Sequence, residues 1–186
     1  MAVLAGGESR RFGSPKQLQM WHGRTLLDRA VDLADSLTTR TVIIGGSEYQ
    51  PETGTAEMYE DIFPGNGPLG GIHAALVHCK KPYAATLPCD MPLMSAGIFR
   101  LLALHRNESH PVVAETEYAL EPLICIWPAA ALALIEERLK KGMSGPIPVL
   151  DMLEAVRIPV YRACPEYDPA MFTNINTRSQ LPGTHR

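Results

Sequence analysis

The stretch LAGGESRRFGSPKQL (residues 4–18) follows a very short apolar segment, and it decides how the rest of the chain is interpreted. Gly6 and Gly7 let the backbone turn sharply and approach a ligand closely, since no Cβ is in the way. Successive exposed N–H groups in such a turn can form an anion-binding nest. The stretch also carries three cationic side chains, those of Arg10, Arg11 and Lys16. This combination indicates a loop that holds an anion, and a solvated basic loop is the simpler alternative.

Two well-known loop motifs do not describe this stretch. No G-x-x-x-x-G-K-[ST] is present, because Lys16 lies beyond Gly13, and no G-x-S-x-G elbow of a serine hydrolase occurs. Further along, GNGPLG (residues 65–70) has the spacing of a dinucleotide fingerprint, with Asp90 in the place of its acidic residue. Pro68 removes an N–H from the turn that would face the phosphates, which argues against that function.

Strand and helix patterns alternate along the chain. Compact apolar runs predict strands, and apolar residues at helical spacing predict helices. The predicted strands are residues 2–4, 41–46, 83–90, 111–115, 120–127 and 157–161, and the predicted helices are residues 26–37, 70–79, 95–106, 128–142 and 148–155. This order predicts an α/β fold, namely a single Rossmann-like three-layer domain (residues 1–181) with a mainly parallel central sheet. Residues 182–186 are predicted to be a frayed tail.

Composition narrows the class of protein. The chain has 186 residues, of which 46% are hydrophobic, and a net charge of -3, which argues against broad nucleic-acid binding. The apolar runs are far shorter than a membrane span, and no signal peptide is expected because Met1 leads almost at once into the glycine stretch. The cysteines form no C-x-x-C pair, which argues against a compact zinc or disulfide framework and predicts reduced thiols in a cytoplasmic protein. They are Cys79, Cys89, Cys125 and Cys164.

Polar residues follow several of the predicted strands, where ligands bind in parallel α/β sheets. Asp90, in PCDMP, ends a buried strand, and a carboxylate there suits Mg²⁺, a hard cation that prefers oxygen ligands. Asp61, in YED, can fix a metal or a ligand hydroxyl, and a turn or helix cap is the alternative for both aspartates. Asn174 and Asn176, in NINT, share one face of an extended segment and can hydrogen-bond a substrate. Thr177 is also a natural N-cap for the residues after it.

Together these stretches resemble the molybdenum-cofactor guanylyltransferase (MobA-like) family, within the wider nucleotidyltransferases. The signature of that family is roughly L-A-G-G-x-S-x-R-M-G-x-D-K, and residues 4–16 read LAGGESRRFGSPK. GPLGGI (67–72) is similar to the family's G-P-L-x-G stretch, PCDMP (88–92) to its metal-aspartate motif, and FTNINT (172–177) to its C-terminal N-x-N-T. The resemblance covers nearly the whole chain and keeps the motifs in order.

The resemblance implies a fold of the nucleotide-diphospho-sugar transferase type and a Mg²⁺-dependent transfer of GMP from GTP to the phosphate of molybdopterin. It implies nucleotide contacts at Leu4, Ala5, Gly6, Gly7, Lys16, Asp61 and Asp90. It implies catalytic roles for Arg11, Lys16 and Asp90, Mg²⁺ ligation by Asp90, and pterin contacts for Asn174 and Asn176. The implied partners are GTP and molybdopterin, together with other cofactor-biosynthesis proteins or the recipient enzyme, and neither nucleic acid nor a membrane.

Three positions depart from the family pattern. Pro15 replaces the acid before the lysine, Phe12 replaces the methionine, and Gly45 stands where the family often has an asparagine, which puts one nucleotide contact in question. The stretch PKQL is similar to the cytidylyltransferase relatives, whereas LAGG favours guanine. CTP therefore remains an alternative to GTP as the nucleotide donor. A sugar phosphate as acceptor and a non-catalytic nucleotide-binding module are the other functions that the sequence leaves open.

Overall fold

The computed structural model describes residues 1–6, 15–45, 56–177 and 180 of the chain. The strands in this part are β1 (Ala2–Leu4), β2 (Met20–Trp21), β3 (Arg24–Thr25), β4 (Val42–Ile44), β5 (Glu57–Tyr59), β6 (Tyr83–Pro88), β7 (Val112–Glu115), β8 (Leu120–Pro128) and β9 (Val156–Pro159). The α-helices are α1 (Leu26–Leu37), α2 (Gly67–Cys79), α3 (Ala96–Leu104), α4 (Leu132–Lys140), α5 (Ile147–Met152) and α6 (Val160–Ala163). Short 3-10 helices lie at Lys16–Leu18, Ala129–Ala131 and Pro169–Phe172.

Seven strands form one sheet in the order β5-β4-β1-β6-β8-β7-β9, and β2 and β3 form a separate small hairpin. β8 is antiparallel to both of its neighbours, whereas the other neighbouring strands pair in parallel. The predicted mainly parallel sheet is therefore confirmed. Every strand except β8 ends at the same edge of the sheet, so that the segments after β1, β4, β5 and β6 meet there.

Helices cover both faces of the sheet, which confirms the three layers. α1, α3 and α6 contribute to the core on one face, and α2, α4 and α5 contribute to the core on the other. Val3 and Ile43 point to the first core, while Leu4 and Ile44 point to the second, as the period of two along a strand requires. No helix in the described part of the chain combines the length and the apolar character that crossing a bilayer requires.

At two prolines the structure has a different element from the predicted one, whereas other predicted boundaries differ by up to three residues. Pro128 was predicted to begin a helix, but it is extended, with ψ at 148°, and pairs with Tyr83 as the last residue of β8. Val160 was predicted to continue a strand, but β9 ends at Pro159, whose ring fixes φ and directs the chain into α6. The strand β5 was not predicted, because one exposed and two half-exposed residues at the sheet edge show no clear alternation.

Candidate active site

Main-chain hydrogen bonds beyond the strands hold the ends of β1, β4 and β6 together. The amides of Ala5 and Gly6 both donate to the carbonyl oxygen of Ile44, at 2.8 and 3.1 Å. The amide of Cys89 donates to the carbonyl oxygen of Leu4 at 3.1 Å. The segments that carry the predicted site residues are thus fixed at one sheet edge, in the position where parallel α/β sheets bind ligands.

Gly45 lies where the segments after β1 and β4 come closest. Its φ is +82°, and a Cβ on this residue would lie 2.6 Å from Gly6 Cα and 2.7 Å from Gly6 N. Its amide donates to the carbonyl oxygen of Tyr59 at 2.8 Å, which ties β5 to the same edge. This packing leaves no room for a side chain at position 45.

Lys16, near the N-terminus, contacts two residues that are distant in sequence, Asp90 and Asn176. Its Nζ donates to Asp90 Oδ2 at 2.6 Å and to Asn176 Oδ1 at 2.7 Å. The Lys16 and Asp90 side chains are only 19% and 21% exposed, so that water screens this ion pair less than a surface pair. Pro15 precedes the 3-10 turn that carries Lys16, and its carbonyl oxygen accepts from Leu18 N at 3.2 Å. The structure therefore brings together three of the predicted site residues.

The second oxygen of Asp90 suits a cation. Asp90 Oδ1 is buried and has no hydrogen-bond partner among the described residues, an arrangement that costs free energy unless a ligand satisfies it. A carboxylate oxygen is the donor type that Mg²⁺ prefers. Within residues 1–6, 15–45, 56–177 and 180, no group of three or more His, Cys, Asp and Glu side chains forms a metal cage. Mg²⁺ commonly binds through one or two carboxylates and completes its coordination with water and substrate phosphate, so that a single carboxylate is a suitable protein ligand.

Cys89, the neighbour of Asp90, is not a candidate nucleophile. Burial, followed by the negative charge of Asp90, raises the pKa of its thiol to about 12, although the Lys16 ammonium acts in the opposite direction. A thiol with such a pKa stays neutral at neutral pH, and only the thiolate attacks or binds metal. Cys89 therefore provides no thiolate beside Asp90 at neutral pH.

The NINT segment is anchored beside Lys16 and Asp90. Ile175 is 3% exposed and packs with Leu26 and Trp21, and its amide donates to the main-chain oxygen of Asp90 at 2.9 Å. Asn176 consequently reaches Lys16, and the side chains of both asparagines are exposed. The contact of Asn176 with Lys16 differs from the predicted contact with a pterin, which stays a prediction for both asparagines.

Asp61 lies at the end of β5, beside the first turns of α2. Its Oδ1 accepts from Phe63 N at 2.9 Å, which is the geometry of an Asx turn. A Cβ on Gly70 would lie 2.9 Å from Asp61 Oδ2, so that the carboxylate sits directly against the helix backbone. The structure thus shows the turn that the sequence analysis held as the alternative, and the nucleotide contact of Asp61 stays a prediction.

Two predicted residues cannot be placed, and one residue near the site was not predicted. Gly7 and Arg11 lie outside the described residues, so that their roles stay predictions. Gln180 Oε1 accepts from the amides of Asn176 and Thr177 at 2.7 and 2.9 Å. The spacing T-x-x-Q, which is typical of a capping box, is the sequence signal that could have identified Gln180.

A mainly parallel sheet with the candidate site residues beyond the carboxyl ends of its strands is the arrangement of α/β enzymes that bind ligands at this edge. The family model described as a MobA-like NTP transferase domain matches residues 1–155. The chain therefore belongs to the MobA-like NTP transferase family and is a nucleotidyltransferase.

Several proteins of known name are similar to this chain over most of their length. The chain is 33% identical to the molybdenum cofactor guanylyltransferase of Desulfosudis oleivorans, over 96% of this chain and 90% of that protein. It is also 33% identical to the probable molybdenum cofactor guanylyltransferase of Bacillus subtilis, with the same coverage. The crystal structure of molybdopterin-guanine dinucleotide biosynthesis protein A from Archaeoglobus fulgidus superimposes with a TM-score of 0.77 at 26% identity, over 96% of this chain and 92% of that one.

Proposed function

We propose that this chain is a Mg²⁺-dependent molybdenum cofactor guanylyltransferase, which transfers GMP from GTP to the terminal phosphate of molybdopterin. The observation that carries the proposal is the contact of Lys16 with Asp90, at 2.6 Å, at the carboxyl edge of the sheet. The relatives from Desulfosudis oleivorans and Archaeoglobus fulgidus, whose names refer to this activity and to its product, support it.

The reaction requires alignment and charge neutralisation more than proton transfer. A molybdopterin phosphate oxygen attacks the α-phosphorus of GTP, the bond from that phosphorus to the bridging oxygen breaks, and pyrophosphate leaves. A phosphate monoester is already largely ionised near neutral pH, with a second pKa of about 6, so that no strong general base is needed. The protein must hold two anions that repel each other and neutralise the charge that develops between them.

Lys16 and Asp90 supply these functions in the proposal. Asp90 would hold Mg²⁺, which when bound supplies positive charge to the triphosphate. The Lys16 ammonium is held beside Asp90 and would neutralise the same phosphates. Arg11 is proposed as the second cation of the catalytic set.

Residues 4–7 and Asp61 are proposed to line the nucleotide. Because the amides of Ala5 and Gly6 already donate to Ile44, contacts from these two residues would use their carbonyl groups. Amides for an anion nest would have to come from Gly7 onward. Leu4 is 9% exposed and packs in the core with α2, so that it would contribute main-chain atoms rather than its side chain.

The proposed setting is the cytoplasm, since the four cysteines are unpaired and buried. The proposed small-molecule partners are GTP and molybdopterin, and the proposed protein partners are other cofactor-biosynthesis proteins or the enzyme that receives the finished cofactor. Asn174 and Asn176 are proposed to lie on the molybdopterin side of the site.

A turnover screen tests the proposal. The four nucleoside triphosphates are each offered with Mg²⁺ and molybdopterin, and pyrophosphate release and the mass of the product are measured. We expect release with GTP and a product with the mass of the guanine dinucleotide. Preferential use of CTP, or of a sugar phosphate as acceptor, would contradict the stated substrates. Nucleotide binding without any turnover would indicate a non-catalytic module instead.

Variants at the ion pair test the roles of its two residues. Removing one preorganised charge contact commonly lowers the rate by about 10²–10³-fold, and we expect kcat reductions of about that size for Lys16→Ala and Asp90→Ala. Lys81→Ala is the matched control, because Lys81 is exposed and lies at the start of β6, at the opposite edge of the sheet. Circular dichroism should show that all three variants remain folded, and an Asp90→Ala enzyme with normal kcat refutes the metal assignment.

A further inference from the structure

The side chain of Gln180 forms hydrogen bonds with the NINT segment (residues 174–177) and thereby closes a turn. Its Oε1 accepts from Asn176 N at 2.7 Å, from Thr177 N at 2.9 Å and from Thr177 Oγ1 at 3.2 Å. Its Nε2 donates to the carbonyl oxygen of Asn174 at 3.3 Å. One carboxamide thus binds main-chain groups of Asn174, Asn176 and Thr177 and fixes the course of the chain through them.

The segment that Gln180 closes is the one that holds Lys16. Asn176 Oδ1 accepts from Lys16 Nζ at 2.7 Å, and the Asn176 amide is bound by Gln180. Ile175 fixes the other side of the segment to the site. Its side chain is buried, and its amide donates a hydrogen bond to the main-chain oxygen of Asp90. A continuous series of contacts therefore connects Gln180 to Lys16. The Gln180 carboxamide binds the main chain of Asn176, and the Asn176 side chain binds the Lys16 ammonium.

From these contacts we infer that Gln180 is a positioning residue of the nucleotidyl transfer, which acts by orienting Asn176 and through it Lys16. The inference deepens the proposed function and rests on it for the reaction that is measured. Gln180 touches neither Lys16 nor Asp90 in the described contacts, so that its effect on the reaction runs through the segment it closes. A lysine side chain has several rotatable bonds, so that the position of its ammonium depends on the groups that bind it, of which Asn176 is one.

Two substitutions at Gln180 separate its acceptor and donor atoms. Gln180→Ala removes all four hydrogen bonds, whereas Gln180→Glu keeps the oxygen that accepts three of them. Because a displacement of about 1 Å at a reacting group can cost about 10²-fold in rate, we expect Gln180→Ala to lower kcat by about 10–10²-fold. Gln180→Glu should recover most of that loss, since the oxygen that binds the Asn176 and Thr177 amides is retained.

The chain offers a matched control for the structural part of this change. Asn107 Oδ1 accepts from the amides of Ser109 and His110 at 3.0 and 2.7 Å, in a turn before β7 at the opposite edge of the sheet. Asn107→Ala removes the same kind of turn-closing carboxamide, but it has no connection to Lys16. We expect it to leave kcat unchanged, and the melting temperatures of both alanine variants to be similar.

A double-mutant cycle with Lys16→Ala, measured as kcat, distinguishes an effect of Gln180 through Lys16 from a general effect on the fold. If Gln180 acts through Lys16, adding Gln180→Ala to Lys16→Ala causes no further loss of kcat, because the cation to be oriented is already gone. If Gln180 only stabilises the fold, the two losses multiply. The same cycle with Asn176→Ala in place of Gln180→Ala tests whether Asn176 acts on kcat through Lys16. This second cycle decides the inference if the Gln180→Ala variant does not fold.

The outcomes for this inference and for the proposed function are separate. Wild-type turnover of GTP with molybdopterin decides the proposed function, and the cycle decides the role of Gln180. If the wild type shows no turnover, the cycle is measured instead on the affinity for Mg²⁺ and GTP by calorimetry, because Lys16 would contact the triphosphate in either case. Multiplying losses, or a Gln180→Ala variant with the kcat or affinity of the wild type, would overturn the inference.

Discussion

Lys16 shows how far single residues of the site could be predicted. The basic loop, PCDMP and NINT identified Lys16, Asp90 and Asn176 as site residues, because each carries a side chain suited to phosphate, metal or substrate. That Lys16 and Asp90 would meet follows from parallel strands ending at one edge. That Asn176 would bind Lys16 does not follow from any pattern, since it depends on the burial of Ile175 against Leu26 of α1 and Trp21 of β2.

Gly45 provides a prediction at this scale. Gly45→Ala forces a Cβ into a left-handed conformation, at a cost of about 1–2 kcal/mol, and against the backbone of Gly6, which no side-chain rotation can relieve. We expect the free energy of unfolding in urea to fall by about 2–4 kcal/mol in total.

Gly23 is the matched control for that measurement. Its φ is +81°, almost the same as that of Gly45, but no atom lies within 4 Å of the position of its Cβ. Gly23→Ala should therefore show only the conformational part of the loss. Equal losses for the two variants would mean that the contact with Gly6 contributes nothing.

At the scale of elements, burial decided which strands and helices could be predicted. β4 and β6 are buried in continuous apolar runs, and α1 shows buried residues at helical spacing, so that the sequence identified all three. β5 pairs on one side only, and its residues are mostly half-exposed, so that it lacks both the apolar run and a clear alternation. The direction of β8, antiparallel in an otherwise parallel sheet, depends on pairing across the sheet rather than on its own residues.

The start of α1 provides a prediction for an element. Thr25 Oγ1 accepts from Asp28 N at 3.0 Å and donates to Asp28 Oδ2 at 2.6 Å, as an N-cap residue does. Thr25→Ala removes this cap, and we expect it to lower the free energy of unfolding by about 1–2 kcal/mol. Thr25→Ser keeps the hydroxyl and should retain most of the stability in the same urea titration. A serine variant as unstable as the alanine variant would assign the effect to the buried methyl group instead.

At the scale of the whole molecule, both cores share one sheet. The same central strands send alternate residues to the core that contains α1 and α3 and to the core that contains α2 and α4. Opening either face therefore exposes residues of strands that also support the other. We propose on this ground that the chain folds as one domain, as the sequence predicts for residues 1–181.

Thiol labelling can test this proposal, because each core contains two buried cysteines. Cys89 and Cys164 lie in the core with α1, and Cys79 and Cys125 lie in the core with α2. Burial raises the pKa of Cys79, of Cys125 and of Cys89, the last to about 12. Because only the thiolate reacts, labelling at pH 8 should require the molecule to unfold. We expect mass spectrometry to show that all four thiols are modified in one kinetic phase.

The Thr25→Ala variant makes this test specific to the connection between the cores. Thr25 caps α1, which packs in the core of Cys89 and Cys164. If the chain unfolds as one unit, a loss of about 1 kcal/mol raises the labelling rate of all four thiols about fivefold. If the two faces opened independently, Cys89 and Cys164 would label faster while Cys79 and Cys125 kept the wild-type rate. Peptide mass spectrometry of the modified cysteines distinguishes the two results, and the second would contradict the proposal of a single domain.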